Sequence, residues 1–231
     1  MKRYNRKMLN VLSNCPSNVR ASSPSKISSK PNCSFNLPAG PCYSCPGATK
    51  ACEGCYAIRK RFLFSNVMKR TLSNWRGIRK LGDNVSRLTA KLLGVVPEDA
   101  VVYRIHSCGD FMSQPYVNAW TEVIRRRPQT KFWAFTRSFN FNYQKLVRLA
   151  NFNLLASTDS FNIKEATQFV KRYKNSNVRH AYGPWEKDWI VPANSIICPT
   201  TAKQLKTDGA CETCKLCIDK QRTKNVVFLR H

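Results

Sequence analysis

The sequence predicts an α/β fold, a parallel sheet of partial (β/α) barrel-like form carrying cysteine-rich metal-binding loops. Three observations predict it. After residue 100, strand-like and helix-like segments alternate, the pattern of parallel strands joined by crossover helices. Four of the strand-like segments end in polar or cysteine residues, and in such folds ligands gather at the carboxyl ends of the strands. Cysteines cluster at 42–55 and again at 198–217, in spacings that suit metal.

The elements follow in order. Residues 1–32, rich in Ser, Pro, Asn and Lys, read as a flexible basic arm, and 33–231 as a single α/β domain. SFNLP at 34–38 is a candidate early strand that delivers the first cysteines to the rim. Residues 59–81 read as one amphipathic helix, with Leu63, Phe64, Val67, Met68, Trp75, Ile78 and Leu81 on its apolar side and Leu72 at the border. Arg61, Lys69, Arg70, Arg76, Arg79 and Lys80 share the opposite side, with no acidic residue between them. That face suits phosphate tracking, though a core helix with a solvated cationic face has the same pattern. VVYRIHS (101–107) is a strand. The next helix starts near Ser113, a candidate N-cap, with Pro115 in its first turn. KFWAFTRS (131–138) is a strand, followed by a helix over 140–150, the strand FNLLAST (152–158), a helix over 164–174, and shorter strands at VRHAYG and SIICP.

The chain's 231 residues are 42% apolar, enough for one sizeable core. No apolar run of signal-peptide or membrane-spanning length is present, so the expectation is a reducing cytoplasm. There, eleven cysteines point to metal ligands or reactive thiols rather than disulfides, and secretion by another route would restore the disulfide reading. The net charge is +26; residues 1–91 carry 18 Lys and Arg against Glu53 and Asp83 alone. Such a balance attracts polyanions, nucleic acid first, with an anionic membrane surface as the lesser competitor and simple solubility as the bland account.

Cys42, Cys45, Cys52 and Cys55 form one group; Cys198, Cys211, Cys214 and Cys217 form another. The C-x2-C-x2-C run of the second resembles an iron-sulphur ligand run, whereas zinc sites use cysteine pairs and leave one thiol of a triplet over. Six residues separate the pairs of the first group, short for a zinc ribbon. Binding by Cys45, Cys52 and Cys55 alone would leave one iron of a four-iron cluster open. Cys15 and Cys33 read as free buried thiols, and Cys108 as a weaker candidate ligand.

SFNLPAG, CPGATKACEGCYA, RIHSCGDFMSQPYVNAW, FWAFTRS, NLLASTDS and the CP followed by a C-x2-C-x2-C tail together resemble the phage "gene product 88" family over about residues 34–217. The resemblance implies a phage or prophage setting, hence the bacterial host cytoplasm, and no particular reaction. More distantly, the chain is similar to radical S-adenosylmethionine enzymes, partial (β/α) barrels in which three cysteines after the first strand hold a four-iron cluster. Cys45, Cys52 and Cys55 stand at the comparable place, and Ser107, Cys108, Gly109 and Asp110 where a Gly-Gly-Glu-Pro stretch contacts the cofactor. The spacing here is C-x6-C-x2-C rather than C-x3-C-x2-C, and Gly-Gly-Glu-Pro is absent.

Two expectations follow. As an enzyme, the chain would hold one or two 4Fe-4S clusters, catalytic groups at His106, Asp110, Arg137 and Asp159, and S-adenosylmethionine contacts at Ser107, Gly109, Asp110 and Ser157, with nucleic acid or a nucleotide as substrate. As a binding module, it would keep the basic surfaces and use zinc or inert clusters as structural supports.

Overall fold

The computed structural model describes residues 19–24, 26–28, 30, 33–185, 190–206 and 208–230, without the side chains of Lys60 and Arg61. Seven strands form one sheet: β1 (Ser34–Phe35), β2 (Val102–Ile105), β3 (Lys131–Thr136), β4 (Phe152–Thr158), β5 (Arg179–Trp185), β6 (Ser195–Ile197) and β7 (Asn225–Leu229). Every pairing is parallel, in the order β1-β2-β3-β4-β5-β7-β6. The first five strands therefore stack in chain order, with all their carboxyl ends on one rim. Among the described residues no ladder joins β1 to β6, so the sheet is open at those two edges.

Helices α1 (Ser65–Arg79), α2 (Val85–Leu93), α3 (Gln114–Arg125), α4 (Gln144–Val147), α5 (Ile163–Arg172) and α6 (Ala210–Cys214) fill the connections. Ser113 caps α3 as its sequence implies, its hydroxyl accepting from the Tyr116 N–H at 3.3 Å. The expected helix over 59–81 is instead a 3-10 turn at Lys60–Leu63 followed by α1. The extended backbone of Phe64 separates them, and its ring is 62% exposed. Leu72 is fully buried because α1 is covered on two sides: Met68 and Leu72 meet Tyr43, Ile58 and Leu63, while Ile78 enters the main core. Asn74 is buried too. Its amide accepts from the Arg20 N–H at 2.8 Å and donates to the carbonyls of Arg20 (3.0 Å) and Asn36 (2.9 Å), fastening residues 19–21 and the end of β1 to the helix. Beyond Asn74's hold, the described part of the basic segment is packed down: Ser22 bridges Ser34 and Ile27 is buried. Residues 1–18 lie outside the described residues. The helix expected over 140–150 shortens to the four residues of α4.

Alternation along the strands divides the sheet into two faces. Tyr103, Ile105, Phe132, Ala134, Leu154 and Ala156 turn toward the helices, where Trp120, Tyr116 and Phe169 complete the main core. Val102, Trp133, Leu155, Ala181 and Val226 turn the other way. That second face is covered by Ile27 and by the cysteine-rich tail, through Leu216, Cys217 and Ile218.

Candidate metal centres and strand-end site

The first cysteine loop lies across the ends of β2, β3 and β4. Gly47 is pressed so closely onto β3 that a Cβ there would stand 2.0 Å from the Arg137 carbonyl oxygen. Gly109, at φ +89°, is closed in too: a Cβ there would stand 2.7 Å from Leu37 and from Ser44. Ser44 donates to the Pro38 carbonyl at 2.6 Å, and Thr49 donates to Asp159 Oδ2 at 2.7 Å. Arg137 pairs with the same Asp159 oxygen and donates to the Gly183 carbonyl at 3.3 Å. Asp110 accepts from Thr136 Oγ1, the Arg137 N–H and the Phe111 N–H, each at 2.7 Å. Burial pushes its carboxyl up to about 6 against those bonds. The strand-end carboxylates and Arg137 thus act as fasteners that hold the loop to the sheet.

Cys45 and Cys55 pack around Ala39, Ala57 and the buried Cys108. Burial pushes the Cys45 thiol up to about 12, with the Asp110 charge adding to it; burial raises Cys55 as well, and Cys108 further still. Cys52 stands 3.8 Å from Thr49 Oγ1 and faces Cys55. Cys108, the weaker candidate ligand of the sequence, therefore packs with Cys45 and Cys55, whereas Cys42 is exposed beside Tyr43.

Other anticipated residues are committed elsewhere. His106 has φ +63° and is buried on the helix side, with Nε2 2.9 Å from the Tyr116 hydroxyl and the ring edge against Phe111. Burial pushes its pKa down to about 3, so the ring is neutral. Ser107 donates its N–H to Asn36 Oδ1 at 2.6 Å, and its hydroxyl meets that of Ser34 at 3.2 Å. The Ser157 carbonyl accepts from Asn162 at 3.0 Å. Of the α1 cations, Lys69, Arg70, Arg79 and Lys80 are exposed and Arg76 half-buried, while Arg61 falls outside the described side chains.

The second group occupies the sheet face opposite the helices. Cys198, at the end of β6, lines a small cavity with Cys211, Cys214 and Cys217, floored by Trp133, Phe135 and Phe228. Arg104 and Lys26 line it, and Arg179 faces Cys217 beside it. Arg104, from β2, lies with its guanidinium 4.8 Å from the Phe135 ring centre and donates from Nε to the His106 carbonyl at 3.1 Å. It faces Cys211 and Cys217 on one side and Cys108 on the other, and so stands between the two cysteine groups. Arg179, from β5, is 2% exposed; it donates to the carbonyls of Lys224 (2.7 Å) and Leu216 (3.1 Å) and faces Cys217. Asn153 adds a 2.7 Å bond to the Cys217 carbonyl. Cys33 packs beside Cys211 and Cys217. The sequence signal for both arginines is a cation placed inside an otherwise apolar strand, in VVYRIHS and VRHAYG.

None of the described cysteines is in a disulfide. Among the described residues no three His, Cys, Asp or Glu side chains converge closely enough to hold a single metal ion as they stand. No helix among them is long and apolar enough to cross a membrane.

The sequence model of the family described as "Gene product 88" matches residues 1–220. The chain belongs to that family. The Gene 88 protein of Mycobacterium phage L5 is 33% identical over 208 residues, 84% of this chain and 85% of that protein. The Gene 88 protein of Mycobacterium phage D29 is 31% identical over 209 residues, with the same coverage. No solved structure matches. Membership in the gene product 88 family agrees with the resemblance carried by the loop and strand-end motifs; it assigns no reaction.

Proposed function

We propose that this chain is a phage iron-sulphur protein that associates with nucleic acid, its clusters held by Cys198, Cys211, Cys214 and Cys217 and by Cys45, Cys52, Cys55 and Cys108. One observation carries the reading: Arg179 is 2% exposed against Cys217, makes no close ion pair with a carboxylate among the described residues, and has the Asp219 charge only beyond ion-pair distance. A buried guanidinium without an anion is costly. Burial alone would keep Cys217 protonated and leave Arg179 offset by Asp219 from beyond ion-pair distance. Ligation to a metal centre deprotonates the thiols and closes the charge balance.

A cluster suits this donor set better than a single ion. Thiolates bound to separate irons stand farther apart than thiolates bound to one zinc, which fits cysteines that share a cavity without converging on a point. When bound, the cluster would supply electron storage or a structural brace, with Arg104 and Arg179 offsetting its negative charge and Trp133, Phe135 and Phe228 shielding it from water. S-adenosylmethionine is left out of the reading: Ser107 spends its N–H on Asn36, and Gly109 is closed in by Leu37 and Ser44. The nucleic-acid part rests on the charge of +26 and on the exposed cations of α1.

Protein purified without oxygen should be brown, with iron and acid-labile sulphide in near-equal amounts. Stoichiometric zinc without sulphide overturns the cluster reading in favour of a zinc-stabilised binding module.

A further inference from the structure

At the opposite end of the sheet from the cysteine loop, where the chain enters β2 and leaves α3, lies a cavity of about 620 Å³. We propose that it holds one unpaired nucleotide of a single-stranded nucleic acid, an inference that rests on the nucleic-acid part of the reading above and gives that part a site.

Three arginines line it, Arg20, Arg70 and Arg127, together with Glu98. The Arg20 backbone is clamped on both sides by the buried Asn74 amide. Arg70 donates to the Ala21 carbonyl at 3.3 Å. Arg127 lies 3.6 Å from Glu98, whose side chain is 91% exposed, and its buried Nε has no hydrogen-bond partner. The Nε is shielded from the cavity, but the terminal nitrogens of a guanidinium match the geometry of phosphate oxygens. The remaining wall includes Val95, Val96 and Pro97. An aliphatic wall beside three arginines suits a base laid flat on it by dispersion contact, with its phosphate among the cations. The volume falls within the range of small-ligand sites, roughly 300–1,000 Å³. The cavity is open to solvent, and a duplex cannot lay a base against its apolar wall while that base remains paired, so the site favours single strands.

The test is fluorescence anisotropy with a single-stranded thymidine oligonucleotide and the matching duplex, over a range of salt. Two variants address the site: Arg20→Gln with Arg70→Gln, which removes charge at exposed positions, and Gly94→Phe. Gly94 lines the cavity, and a Cβ there meets only ordinary contacts, the nearest at 3.6 Å, so Phe fills space without altering charge. A matched control, Lys164→Gln with Lys171→Gln, removes two exposed charges on α5. Single-strand affinity should fall about tenfold or more in both site variants and much less in the control, and the preference for single strands should vanish with Gly94→Phe. If the parent binds the oligonucleotide and both site variants bind as the parent does, the cavity is not the site, while the wider reading stands. If the parent binds neither strand form, the wider reading fails; calorimetric titration with thymidine monophosphate then judges the cavity alone, and absence of binding overturns it. Loss of binding to anionic phospholipid vesicles in these variants, with oligonucleotide binding unchanged, overturns it in favour of a membrane surface.

Discussion

Gly47 sits against Arg137 with no room for a side chain: a Cβ would lie 2.0 Å from the Arg137 carbonyl oxygen and 2.4 Å from its carbon. This contact seats the first cysteine loop on the end of β3. Gly47→Ala must therefore lift the loop, costing about 1–3 kcal/mol of stability as overpacking against backbone. Gly54→Ala is the control, because its Cβ meets only the tip of the Arg59 side chain at 3.8 Å. Gly47→Ala should lose the iron of the first group, keep that of the second, and expose Cys45 and Cys55 to alkylation, read by mass spectrometry. Equal iron and equal labelling in the two variants would show that the loop does not depend on this contact.

Asp110 holds three donors in a buried position. Asp110→Ala leaves them unsatisfied and should destabilise the fold by about 3 kcal/mol, whereas Thr136→Val, which removes one donor to Asp110 and the acceptor of the Ser138 N–H, should cost about 2 kcal/mol. Urea unfolding of the two variants checks the ratio. A carboxylate present only for chemistry would be replaced with little change in the unfolding midpoint.

The pH dependence of stability should carry the signature of His106. Its folded pKa is pushed down to about 3 by burial, below the unfolded value of about 6.5. Above that unfolded value neither state binds the proton, and the contribution is fully present. As pH falls below it, the unfolded chain gains a proton that the folded chain refuses, so stability drops by about 1.4 kcal/mol per pH unit until the folded pKa is reached. Asp110 works in the opposite sense: its raised pKa makes the folded state the better proton binder between the unfolded carboxyl value and about 6, so it favours the folded form as pH falls through that window. His106→Asn suits the left-handed backbone at φ +63° and removes the first effect alone. The stability difference between parent and variant, measured by denaturant unfolding from pH 7 to pH 4, should change with that slope. A difference independent of pH would mean that His106 titrates normally.

Much of this architecture was legible because period and spacing are local. The alternation after residue 100 gave the parallel strands, and Ser113 with Pro115 gave the start of α3. β7 was not anticipated: NVVFL follows the cysteine tail without a helix between, so nothing in its surroundings announces a crossover, and its place between β5 and β6 is set by pairing across the sheet. α2 is likewise absent from the sequence-based expectations, although the Asn84 side chain caps it by accepting from the Arg87 N–H at 3.0 Å. The cysteine groups are visible as spacings, but which thiols the fold buries together is not. Cys108 is buried with Cys45 and Cys55 although it lies more than fifty positions from either, and Cys42, inside the motif, points outward. Burial and partners depend on how the loop lands on the sheet, which spacing does not encode.

Arg179 gives the last prediction, because it joins the fold to the second cysteine group. Its two terminal nitrogens hold the Leu216 and Lys224 carbonyls from either side of the tail, and its charge faces Cys217. Arg179→Met fills much of the same space but removes the fork and the charge together, so the tail should loosen by about 2–4 kcal/mol and the thiolates lose a counter-charge. Arg179→Lys restores a charge without the planar fork and cannot serve both carbonyls at once. The lysine variant should therefore recover part of the metal content but little of the stability, while the methionine variant recovers neither. Iron and sulphide per chain, measured with thermal unfolding on the parent and both variants, separate the two roles. If Arg179→Met keeps the parent's full metal content, the guanidinium is a clamp on carbonyls alone, and the charge-balance argument for metal at Cys198, Cys211, Cys214 and Cys217 fails with it.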